Sequence, residues 1–176
     1  MQETSGATVL ANILPGLGID EFLTRTDVVA GVTSSFLTDA LGSPVAVTDN
    51  GGVVQTEYTY EPFGKTTFTG ASNSSSYQYT GRENDGTGLY YYRARFYHSQ
   101  LQRFVSEDPI QFGGGDVNFY SYASNSPLVY NDPDGKYIRA LRGLIREYGP
   151  KLLGEGAQEL AERLTGVTPL GWDLLN

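Results

Sequence analysis

Tyrosines recur at alternate positions in this chain, and each run ends in a tight turn. Tyr58 and Tyr60 precede Glu61-Pro62-Phe63-Gly64-Lys65, Tyr77 and Tyr79 precede Gly81-Arg82, and Tyr130 precedes Asp132-Pro133-Asp134-Gly135-Lys136. Successive side chains of a strand point to opposite faces, so a bulky residue at period two builds one apolar sheet face. Proline then fixes φ and glycine takes the φ that other residues avoid, which ends the strand. This spacing, a weak internal repeat, predicts short antiparallel strands rather than a helical bundle. Composition agrees, with 13 Tyr and 22 Gly against one Trp and one Met.

The strands follow from the same signals. Thr8 to Leu14 and Glu21 to Arg25 read as strands around Gly16-Leu17-Gly18. Ser34 to Thr38, Pro44 to Thr48, Val53 to Tyr60 and Thr66 to Thr69 read as further strands, with Asp49-Asn50-Gly51-Gly52 as a hairpin turn. Residues 70–76 are polar and give no reason to be ordered. Tyr77 to Thr80 and Leu89 to Tyr97 complete the set. Read as one strand, LYYYRARFY places Tyr90, Tyr92, Ala94 and Phe96 on one face and Tyr91, Arg93, Arg95 and Tyr97 on the other.

Charge and composition exclude several functions. The net charge is −8, and residues 1–136 lack the basic surface that nucleic acid needs. With no Cys and only His98, thiol chemistry, a cysteine zinc site and a Ser-His-Asp triad have no residues to use, so no metal or cofactor is expected. No stretch is apolar enough to span a membrane as a helix. The first basic residue is Arg25, a poor start for a signal peptide, and the expectation is a piece of something longer.

The pattern changes after Gly135. Residues 1–135 hold 6 basic and 15 acidic side chains, and the remainder hold 6 and 5. Ile138, Leu141, Leu144, Ile145 and Tyr148 fall at helical spacing, as do Ala157, Leu160, Ala161 and Leu164. Helices are expected over 137–148 and 155–164, too little to build a core of their own.

The Asp-Pro pairs, Asp108-Pro109 and Asp132-Pro133, admit two readings. Each fits a turn, since Asp caps backbone N–H groups and Pro fixes φ. Brought together, two carboxylates cannot both ionise cheaply, and one can activate water while the other donates a proton. The glycines at 113–115 would let the chain fold back between them. The residues alone leave both readings open. Arg82, Arg93, Arg95 and Arg103 would pair with these acids or stack on rings.

The stretches YTGRENDGTGLYYYRARFY (79–97), LQRFVSEDPI (101–110) and GGDVNFYSYASNSPLVYNDPDG (114–135) closely resemble the core signature of the RHS (YD-repeat) family. TDALGSPVAVTDNGGVVQTEYTYEPFGK (38–65) resembles the repeat before it. The resemblance implies YD-repeat hairpins over 1–78, the core signature over 79–136 and a variable helical segment over 137–176. The implied fold is mainly β: an antiparallel hairpin sheet from an RHS shell, with a short α-helical appendage. Gly81, Arg82, Arg93, Arg95, Arg103, Phe104, Pro109, Pro133 and Gly135 carry the motif.

In that family the signature closes a β-shell around a C-terminal toxin, used in intercellular competition through type VI or related secretion. The resemblance thus implies an upstream shell, an immunity protein and a secretion apparatus as partners. It also implies a cytoplasmic stage before export to the outside or the cell surface. It further implies aspartyl self-cleavage by Asp108 and Asp132 at the Lys136-Tyr137 bond, without turnover of an external substrate. Two positions depart from the family pattern. Lys136 stands where an apolar residue is usual, and Glu107 stands where some cleaving relatives carry Arg, an acid expected to raise the pKa values of the pair. Two other readings fit the residues: a tyrosine-faced sheet that binds carbohydrate or a cell-surface protein, and a truncated remnant with unpaired strand edges.

Overall fold

The computed structural model describes residues 1–140. Seven strands form one antiparallel meander in chain order: β1 (Gln2–Ser5), β2 (Thr8–Pro15), β3 (Phe22–Asp27), β4 (Thr33–Thr38), β5 (Pro44–Thr48), β6 (Val54–Tyr60) and β7 (Thr66–Gly70). A second antiparallel sheet holds β8 (Glu83–Asn84), β9 (Leu89–Tyr92), β10 (Arg95–His98) and β11 (Arg103–Phe104), in spatial order β11-β10-β9-β8. Last, β12 (Tyr130–Asn131) pairs with β13 (Arg139–Ala140). The fold is mainly β, as the alternating pattern predicts. Among the described residues no helix is long and apolar enough to cross a membrane.

Aspartates close the hairpins. Asp49 Oδ1 accepts hydrogen bonds from the Gly51 and Val53 amides at 2.8 and 3.0 Å. Asp39 Oδ1 does the same for Leu41 and Ser43 at 2.9 and 2.8 Å. Such side-chain caps set a turn without needing the sheet.

Two aromatic clusters follow. Ile13, Phe22, Phe36, Val47, Tyr58 and Tyr77 pack together under the first sheet. Tyr79, Tyr90, Tyr92, Tyr97, Phe104 and Tyr122 form the second cluster, and Tyr60 packs against both. A buried phenol must find a partner for its hydroxyl. Tyr79 donates to Pro62 O at 2.9 Å, Tyr97 to Phe63 O at 2.8 Å and Tyr60 to Pro44 O at 2.7 Å. Tyr92 meets Thr80 Oγ1 at 2.6 Å and Tyr122 at 3.1 Å. Burial pushes these phenols well above their usual range. Tyr79, Tyr92 and Tyr97 are therefore core residues with no face open to a sugar.

Four expectations need correction. LYYYRARFY is not one strand: it turns at Arg93-Ala94, so that Arg95 pairs with Tyr92 and Tyr97 with Tyr90. The turn shifts the alternation by one. Tyr90, Tyr92, Arg95 and Tyr97 point inward, while Tyr91 and Phe96 are exposed. Tyr77 to Thr80 is likewise not a strand. Tyr77 makes a single bridge to Glu83, and Tyr79–Gly81 is a 3-10 turn with Thr80 at φ +51°. Residues 70–76 are not free, since Asn73 donates to Thr56 Oγ1 at 3.0 Å and to the Tyr58 hydroxyl at 2.9 Å. Finally, Arg139–Ala140, at the start of the expected helix 137–148, form a strand because their backbone completes a ladder with Tyr130–Asn131. The rest of that helix and the one expected over 155–164 lie outside the described residues.

Gly135 locks the Asp132 turn onto the β9–β10 hairpin. Its φ is +64°, and a Cβ there would sit 2.4 Å from Tyr92 O and 3.1 Å from Arg95 N. Gly135→Ala combines a left-handed backbone with a clash against the backbone. It is expected to cost about 2–3 kcal/mol, read as a lower denaturant midpoint.

Candidate functional site

Three segments converge on one guanidinium. Arg95 opens β10, Asp108 follows β11, and Asp132 follows β12. Arg95 Nη2 lies 3.0 Å from Asp108 Oδ2 and 3.1 Å from Asp132 Oδ2. Arg95 Nε donates to Gly135 O at 2.7 Å and Nη1 to Phe119 O at 2.8 Å. Its plane lies over the Phe104 ring, 3.6 Å from the centroid. Relative exposures of 4% for Arg95, 7% for Asp108 and 2% for Asp132 mean that water screens these charges little.

Each carboxylate has a second duty. Asp108 Oδ1 accepts the Ile110 amide at 2.9 Å and so caps its own turn. Asp132 Oδ1 accepts two amides, Lys136 N at 2.9 Å and Tyr137 N at 3.0 Å. The Lys136-Tyr137 peptide bond is thus held by its N–H against Asp132. Its carbonyl side faces Gly114. A Cβ on Gly114 would fall 2.7 Å from Asp108 Oδ2 and 3.2 Å from Lys136 O. Only a residue without a side chain lets the loop pass there.

Burial pushes the Asp132 carboxyl up to about 6. The Lys136 amide, the Arg95 charge and the Tyr137 amide oppose that rise, and the charge of Asp108 adds to it. Burial also lowers the pKa of Arg95, against the pull of both aspartates. Arg95, Asp108, Gly114, Ser121, Asp132 and Lys136 line a cavity with a free volume of ≈ 10 Å³. That is the room one water needs when only its centre is counted.

The other motif residues divide. Pro109 and Pro133 follow the two aspartates, and Gly81 lies in the turn after Tyr79. Phe104 and Gly135 belong to the Arg95 cluster. Arg93 donates to Pro133 O and pairs through both terminal nitrogens with Asp20, at 2.5 and 3.2 Å. Arg82 pairs with Asp20 at 2.7 Å and donates to Tyr91 O. These two arginines serve the scaffold around the turn rather than the aspartate pair. Arg103 is exposed and lies over the Tyr120 ring at 5.5 Å. Glu107 is exposed as well and accepts the Tyr120 hydroxyl at 3.1 Å. Sequence reasoning missed Asp20, Phe119 and Ser121, and singled out Gly114 only as part of the flexible run 113–115. Phe119 acts through its backbone carbonyl, which no residue type reveals.

This chain is similar to toxins. It is 36% identical over 107 residues to the tRNA3(Ser)-specific nuclease WapA of Bacillus spizizenii and 35% identical over 100 residues to toxin subunit YenC1 of Yersinia entomophaga. The matches cover 57% and 54% of this chain, but it spans only 5% and 10% of those relatives. Its fold is similar to a crystal structure of TcdB2-TccC3-Cdc42, with a TM-score of 0.63 and 26% identity, over 75% of this chain and 7% of that chain. No family model matches the chain. Together these likenesses support a β-rich region related to RHS-type toxin proteins.

Proposed function

We propose that this region is the core end of an RHS shell, and that it releases the segment after Lys136 by aspartyl self-cleavage. The observation that carries the reading is the double contact of Asp132, with the amides on both sides of the Lys136 carbonyl and with an arginine shared by Asp108. A turn needs only the caps. It does not need two buried carboxylates on one guanidinium beside a peptide bond.

Water oxygen bonds to the Lys136 carbonyl carbon while its proton goes to the Asp108 carboxylate. Asp132 gives its proton to the Tyr137 nitrogen as the C–N bond breaks. Lys136 ends as a carboxylic acid and Tyr137 as an amine. Arg95 holds the negative charge of the pair throughout. Lys136 replaces the apolar residue usual at that place, and its side chain is half-buried at the rim of an acidic cavity. Export, a shell upstream and an immunity partner belong to the same proposal and draw on the toxin relatives.

The test is the intact mass of the full chain, followed over time between pH 5 and pH 8. Asp-Pro bonds hydrolyse chemically in stronger acid, so that range is the floor. Cleavage needs Asp132 protonated, which holds below about 6. The rate is expected to be flat up to that pH and then to fall about tenfold per unit. A chain that stays whole across the range for days, alone and with an RHS shell added in trans, sinks the cleavage reading.

A further inference from the structure

We infer that Ser121 holds the attacking water in the cavity beside Asp108 and Asp132, a positioning role that rests on the self-cleavage reading above. Among the described residues, only two buried side-chain polar atoms have no hydrogen-bond partner, and Ser121 Oγ is one of them. The other, Glu3 Oε1, belongs to a carboxylate whose second oxygen pairs with Arg25 at 2.7 Å. Ser121 has no such substitute. A buried hydroxyl left without a partner is destabilising, so one that persists points to a role or to an ordered water.

The backbone that carries Ser121 is pinned on both sides. Its amide donates to Asn118 O at 3.0 Å, and it forms a bridge with Arg103. Tyr120 O beside it accepts the Phe104 amide at 3.0 Å, and Tyr122 on its other side is fully buried. The residue lines the same ≈ 10 Å³ space as Arg95, Asp108, Asp132 and Lys136. A water there needs two to four polar partners, and the carboxylates and Ser121 Oγ supply them. With one hydrogen on Asp108 and the other on Ser121 Oγ, a lone pair of the water stays free to face the Lys136 carbonyl carbon. Water oxygen then becomes the new Lys136 carboxylate, as balanced above. Ser121 exchanges no proton, so it positions the nucleophile and is not an acid or a base.

The experiment has two arms on the full chain. One is a high-resolution crystal structure of the uncut Asp132→Asn chain, with and without Ser121→Ala. The other follows cleavage by intact mass for wild type, Ser121→Ala and Ser121→Thr, each with its melting temperature. We expect a water within hydrogen-bond distance of Ser121 Oγ and Asp108 that disappears in Ser121→Ala. We also expect Ser121→Ala to cut roughly 10- to 100-fold more slowly, at an unchanged pH midpoint and with no loss of melting temperature. Ser121→Thr, which keeps the hydroxyl, should stay near wild type. An empty cavity in the Asp132→Asn crystal, or Ser121→Ala cutting at wild-type speed, overturns the inference. A water present but a wild type that never cuts would instead remove the self-cleavage reading and leave Ser121 a water ligand without a reaction.

Discussion

Asp108→Asn and Asp132→Asn chains are each expected to keep their full mass under conditions in which the wild type ends at Lys136. Asparagine keeps the shape of aspartate and its oxygen can still accept from Arg95. In Asp132→Asn the single oxygen can serve either Arg95 or the Lys136 and Tyr137 amides, which Oδ2 and Oδ1 serve separately in the native chain, at 3.1 Å and at 2.9 and 3.0 Å. What the amide cannot do is take or give a proton at working pH. Loss of a positioned acid or base lowers a rate by roughly 10²–10⁴, so a cleavage complete in an hour would take days or longer. Stability should not fall in parallel. Asp132→Asn removes a carboxylate whose ionisation burial opposes, which offsets the lost acceptor, and its stability at pH 7 should stay within about 1 kcal/mol of wild type. Cutting at native speed in both variants would return the Asp-Pro pairs to the role of turns.

Arg95→Met is expected to have the largest effect on the fold. The change leaves Asp108 and Asp132 buried with no cation and takes the donors away from Gly135 O and Phe119 O. Removing one member of a buried ion cluster costs about 3–5 kcal/mol, a large share of the stability of a domain this size. The sign of its pH dependence follows from Asp132. Its folded pKa lies above the unfolded value of 3.8, at about 6. The stability it contributes is therefore fully present below 3.8 and lost as pH rises through about 6. Without Arg95 the ionised form is penalised further, so the defect should be greatest at pH 7 and should shrink toward pH 5. Denaturant unfolding at both pH values reads it. A loss under about 1 kcal/mol, the range of exposed pairs, would show that the cluster is wetter than its burial implies.

The sheet was readable wherever a turn carried its own chemistry. Asp49 to Gly52 announces a hairpin because Asp caps and Gly bends, and β5 and β6 follow from it on both sides. Arg93-Ala94 contains no Gly, Pro, Asn or Asp, and an arginine at φ +54° has no local reason to bend. The reason is tertiary: Asp20 and Pro133 O hold its guanidinium, and the Ala94 amide donates to Asp134 O at 3.3 Å. Missing that turn put Arg95 and Tyr97 on a common face opposite Tyr92, although all three point inward. The aspartates could be picked out by their Pro-Gly surroundings. Their shared guanidinium could not be singled out among four arginines, because the choice depends on a register that the turn resets. Ser121 carried no signal in the sequence, since a serine between two tyrosines is ordinary.

The hydroxyls of the tyrosine core also bear on how such a chain avoids mistakes. Its hairpins resemble one another, and rings of one size would fit under several of them. A phenylalanine core would reward any of those pairings almost equally. Three of the tyrosines instead end on one particular carbonyl each, Pro44 for Tyr60, Pro62 for Tyr79 and Phe63 for Tyr97, and Tyr92 ends on the hydroxyls of Thr80 and Tyr122. A ring seated under the wrong hairpin would bury a hydroxyl with nothing to bind. The oxygen atoms work as address labels, and a repetitive chain that must assemble in one order has more need of them than a chain whose parts all differ.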